Sequence, residues 1–193
     1  YRNIDVSGFE RRSDDSGEKT VTGYAARFNQ PYELCRETFG GYVYIIREQV
    51  DSEAFRECDM SDVIMQYNHE GRVFARTSNG TLEVRTDGDG LYIRARLGGT
   101  ELGRQVYDEI NGGYTTKMSF GFRVSQDKRD RTEERNTETG ITTVTVLRTI
   151  TRISKLYDVS AVSLPPHDAT STSARSFADG VIDELKQEQL AAE

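Results

Sequence analysis

Side chains alternate with period two through most of this chain, and no other feature restricts the fold as much, because strands and helices present their faces at incompatible spacings. Residues 20–28 (TVTGYAARF) place Val21, Gly23, Ala25 and Arg27 on one face and Thr22, Tyr24, Ala26 and Phe28 on the other. Residues 42–46, 80–85, 90–97, 117–124, 141–153 and 156–164 also read as strands, being rich in β-branched and aromatic side chains. The clearest pair is TLEVRT-DGDG-LYIRARL, in which Asp87-Gly88-Asp89-Gly90 supplies a hairpin turn.

Helical spacing is confined to three stretches. Asp51-Ser52 can cap a short helix to about Cys58. Residues 100–111 are stronger, with Thr100 as cap, Leu102, Val106 and Ile110 four apart, and Gly112-Gly113 as terminator. Residues 177–190 carry Val181, Leu185 and Leu190 on one stripe. About seven strands with two or three helices give an α+β fold, mainly an antiparallel sheet that is strongly bent or closed into a barrel. Residues 126–139 (QDKRDRTEERNTET) hold no apolar side chain and read as a solvated hairpin tip. The polar run 170–176 (TSTSARS) reads as a linker, which divides the chain into a domain at 1–174 and a helical tail at 175–193.

The 193 residues suit one domain with such an appendage. Lys and Arg number 25 against 32 Asp and Glu, a net charge of −7, which argues against coating nucleic acid. No stretch approaches the roughly 18 apolar residues of a membrane span, so neither a nucleic-acid nor a membrane partner is expected. The start at Tyr1 has no apolar signal core and reads as trimmed or processed. Cys35 and Cys58 fit no disulfide framework, which suits a reduced, intracellular setting.

Any mechanism that needs an imidazole near neutral pH must draw on His69 or His167, the two histidines of the chain. A Walker-type glycine loop, GxGxxG after a strand, HExxH and chelating Cys/His spacing are all absent, so neither cofactor nor metal is expected. His69 lies in MQYNHEG, at a turn or strand end that can face a cleft. Ser119 lies in KMSFGF, where alternation sends Met118, Phe120, Phe122 and Val124 to one face and Ser119, Gly121 and Arg123 to the open one. Asp158, in LYDVSAVSLPP, is an acid inside an apolar strand, sharing a face with Ser160 and Val162. Each is ordinary alone: an exposed turn histidine, a strand serine, an edge-strand acid. Together they offer a base, a nucleophile and an orienting acid.

The blocks NHEGRVFART, GGYTTKMSFGF and ITRISKLYDVSAVSLPPHDAT, in this order and preceded by GYAARFN and DSEAF, resemble the prohead (procapsid maturation) proteases of tailed bacteriophages from about Gly23 to Thr170. The resemblance implies an assemblin-like fold and a serine endopeptidase that cuts scaffold and capsid-protein segments inside the procapsid, assembled in the host bacterial cytoplasm. It also implies self-processing and admits a homodimer. By motif, His69 is the general base, Ser119 the nucleophile and Asp158 the acid, one methylene shorter than the Glu more usual there. Assemblins use a second histidine instead, for which His167 stands ready. Arg148 and Arg152 are candidates for stabilising an oxyanion. Substrate is expected to add as a strand to a sheet edge. Two other readings fit the residues: a non-catalytic head-assembly or scaffold protein, and a hydrolase of small esters.

Overall fold

The computed structural model describes residues 9–11, 18–163 and 172–192. Among them, two sheets enclose the core. One is four-stranded: β1 (Glu10–Arg11), β2 (Thr20–Arg27), β7 (Leu82–Thr86) and β8 (Gly90–Arg96), in the order β1-β2-β8-β7 and antiparallel throughout. The other joins β3 (Tyr32–Phe39), β4 (Tyr42–Val50), β5 (Ile64–Tyr67), β6 (Glu70–Arg76), β9 (Lys117–Arg135) and β10 (Thr142–Val162). Its order is β3-β4-β10-β5-β6, with β9 on the second edge of β10. Helix α1 (Glu101–Asn111) and helix α2 (Thr172–Ala192) complete the α+β architecture.

Three expectations change. The strands form two sheets, and no closed barrel is found among the described residues, which hold ten strands rather than about seven: β1, β3, β5 and β6 are added and two expected strands are one. Residues 51–58 make successive turns, not a helix: Ala54 N–H donates to the Asp51 carbonyl and Cys58 N–H to that of Phe55. A segment this short cannot propagate a helix, and the Ala54 carbonyl is spent on Ile153 N–H at 2.8 Å. The solvated tip shrinks to residues 136–141, because β9 runs to Arg135 with its outer half exposed. There the backbone finds its partners on Thr142 to Ile150 of β10, while the charged side chains blunt the edge against further pairing.

β10 is the long element of the fold. Thr, Val and Ile recur along its 21 residues, the composition of a strand paired on both sides. One edge takes β4 and then β5, both in parallel, and the other takes β9 antiparallel. The two strands expected at 141–153 and 156–164 are this one strand, continued past Ser154-Lys155 by register shifts.

The core lies between the sheets, built from Ile93, Leu97, Met65, Met118, Phe120, Ile153, Leu156 and their neighbours, and α1 closes it with Val106 and Ile110. Thr100 caps α1 as expected, accepting from Gly103 N–H. A second cluster sets Ala178, Val181, Ile182 and Leu185 of α2 on Tyr44, Ile46, Val144 and Val146, while Leu190 points outward at 59% exposure. Between the clusters Glu48 is fully buried. It accepts from Tyr32 Oη and from Arg148 Nη1 (3.1 Å), Arg148 also pairs with Asp127, and Phe177 of α2 packs on the guanidinium at 4.2 Å. The buried carboxylate thus keeps its charge partner and its hydrogen bonds.

Gly90 begins β8 opposite Arg27, and a Cβ there would lie 2.0 Å from the Ala26 carbonyl oxygen. The nearest atoms are all backbone of Ala26 and Arg27, which cannot yield as a flexible side chain would. Gly90→Ala should therefore cost about 2–3 kcal/mol, read as a lower denaturation midpoint at unchanged slope.

Candidate functional site

The site is set by register on β10. Ser160 pairs with Ser119 of β9, and Asp158 pairs with Gly121. Paired residues point to the same side of a sheet, so Ser119, Asp158 and Ser160 share one face. Gly121 puts no side chain opposite the carboxylate. Met118, Phe120, Val159 and Ala161 take the other face into the core. Alternation in the sequence anticipates this division, but not the burial: Ser119 is 0% exposed rather than on an open face. The β5–β6 connection folds an imidazole over it.

That connection consists of Asn68 and His69, between the paired residues Tyr67 and Glu70. Both have positive φ, 50° and 60°, as the central residues of a type I′ hairpin require. Asn tolerates this left-handed conformation and His adopts it more often than most residues. Asn68 also fastens the turn to the end of β10. Its backbone N–H donates to the Ala161 carbonyl at 2.9 Å, and its Oδ1 accepts from Ser163 N–H at 3.1 Å. The turn and the strand carrying Asp158 are thereby held in one frame.

Within it, His69 Nδ1 lies 2.6 Å from Asp158 Oδ1, and His69 Nε2 lies 2.6 Å from Ser119 Oγ. A carboxylate only accepts, so a neutral imidazole carries its proton on Nδ1 and leaves Nε2 to accept from the serine hydroxyl. The His69 side chain is 9% exposed and that of Asp158 2%, which keeps solvent from competing for either bond. Asp158, despite its shorter side chain, reaches the ring. Ser160 Oγ donates to the same Asp158 Oδ1 at 3.0 Å. This arrangement can take a proton from a hydroxyl and stabilise the resulting imidazolium.

The structure brings His69, Ser119 and Asp158 together, whereas His167 lies outside the described residues. Arg148 and Arg152 are excluded as partners of the reacting oxygen. They precede Asp158 by ten and six residues, roughly 30 Å and 20 Å along a strand. Arg148 is also committed to Glu48 and Asp127, and Arg152 to Glu57 at 3.1 Å. Burial pushes the Cys35 and Cys58 thiols up to about 11, so neither is a thiolate at neutral pH. No cluster of three or more metal-ligating side chains occurs among the described residues. Asn68 and Glu70, which flank His69, also line a cleft of about 560 Å³ between the hairpin and Leu102, Val106 and Glu109 of α1. Sequence reading missed two contributors, the Asn68 latch and the Ser160 bond. An Asn followed by one residue between two strands was the available signal for the first.

A family model described as caudovirus prohead serine protease matches residues 7–182. No curated protein and no solved structure matches the chain.

The turn itself yields a test. A non-glycine residue at φ 60° carries strain of roughly 1 kcal/mol that glycine avoids. Of two variants that both lack the imidazole, His69→Gly should therefore be more stable than His69→Ala by about 1 kcal/mol in chemical denaturation. Equal stabilities would contradict the turn assignment.

Proposed function

The chain belongs to the caudovirus prohead serine protease family, and from that premise we propose that Ser119, His69 and Asp158 are its catalytic triad. Membership makes it a serine protease of phage capsid maturation. The observation that supports the triad is the pair of 2.6 Å contacts through which one imidazole links Ser119 to Asp158.

In this reading His69 Nε2 takes the Ser119 proton as Oγ bonds to the carbonyl carbon of the substrate peptide. The imidazolium then gives that proton to the departing amine nitrogen as the C–N bond breaks, leaving an acyl-serine. Water repeats the sequence and frees the enzyme. Asp158 holds the Nδ1–H tautomer and stabilises the imidazolium in both halves. Since Ser119 is fully buried, docking of substrate has to open a path to Oγ.

We assign as substrates the capsid protein and its scaffold segment, met as extended chain inside the procapsid during assembly in the host cytoplasm. Self-processing at the chain ends follows from the same activity, and residues 1–174 are taken as the protease domain with 175–193 as a tail. Helix α2 (Thr172–Ala192) begins inside the run expected as a linker, and through the second cluster this tail docks on β4 and β10 of the domain.

Incubation with a cognate capsid–scaffold fusion, with cut sites read by mass spectrometry, tests the assignment. Ser119→Ala should lower the rate by roughly 10⁴ to 10⁶. Asp158→Asn should approach that loss, because it favours the wrong imidazole tautomer. His167→Ala should be far milder. Full processing by Asp158→Asn with none by His167→Ala would reassign the third member to His167.

A further inference from the structure

We propose that Ser160 is a positioning residue of this site, fixing which oxygen of Asp158 faces His69 and at what angle; the proposal rests on the triad reading above. Ser160 is 0% exposed and lies directly across the sheet from Ser119, two residues beyond Asp158 on the same face. Its hydroxyl donates at 3.0 Å to Asp158 Oδ1, the atom that also takes His69 Nδ1 at 2.6 Å.

Two physical demands meet at that hydroxyl. A carboxylate 2% exposed has lost nearly all of its water and needs donors that favour its charged form. Between them, the imidazole N–H and the serine O–H supply two. The second demand is orientation. The carboxylate torsion of an aspartate is broad, so a single bond to a moving imidazole leaves it free to swing. Ser160 stands on the rigid backbone of β10, paired on both sides here by β5 and β9, and so ties Oδ1 to the frame that holds Ser119. The result is a relay from sheet to carboxylate to imidazole to nucleophile, in which Ser160 touches no reacting atom.

Alanine would fill a buried position of this size as well, and the hydroxyl is accounted for by the bond it makes to Asp158. Ser160→Ala should keep the fold and lower kcat by about 10- to 100-fold, as expected for a reacting group released from its angle, with KM within twofold. The deshielded His69 Nδ1–H proton resonance should shift in the same variant. Ser160→Cys, similar in shape but a weak donor, should behave like Ser160→Ala, and it carries the test if the alanine variant does not fold. A kcat within twofold of wild type, or an unmoved Nδ1–H resonance, overturns the proposal. The resonance reports the tie between Ser160 and Asp158 even in a chain that cuts nothing. Loss of the triad reading through an inactive wild type is therefore distinguishable from loss of this one.

Discussion

The register of β10 is the constraint on which the rest depends. It sets Ser160 opposite Ser119 and Asp158 opposite Gly121 on one edge, and Ala161 beside Tyr67 on the other. A slip of one residue would send Asp158 and Ser160 into the core and bring Val159 and Ala161 out. The register is therefore held by the same burial that builds the core, and the polar face inherits its precision from the apolar one. The geometry of the proposed triad is a by-product of hydrophobic packing on the far side of the strand.

The imidazole is delivered in another way, by a two-residue turn under strain. Asn68 and His69 both occupy the left-handed region, where glycine would cost less. The bond that Asn68 N–H donates to the Ala161 carbonyl and the one its Oδ1 accepts from Ser163 N–H hold the turn against β10 and offset part of that cost. Local strain concentrated at the residue proposed as the base is consistent with a functional constraint there.

Much of this was legible in the sequence, and the reasons for the rest are physical. Alternation placed Ser119 and Asp158 on defined faces because strand side chains obey a strict period of two. The Thr100 cap and the hairpin at Asp87–Gly90 followed from local chemistry. β3 and β6 escaped because their exposed, charged residues break the apolar alternation, their pairing being fixed by neighbours far away in the chain. Residues 126–135 looked like loop for the same reason, since tertiary pairing with β10 overrides their composition. That His69, Ser119 and Asp158 converge could not be read from 50- and 89-residue separations; only the family motifs pointed there.

The central claim is that His69 activates Ser119, and covalent labelling measures it most directly. The full chain is treated with a small fluorophosphonate and the adduct located by peptide mass spectrometry. The account predicts one stoichiometric adduct on Ser119, absent from His69→Ala and strongly slowed in Asp158→Asn. Labelling that is undiminished in His69→Ala, or an adduct on any other residue, would contradict it.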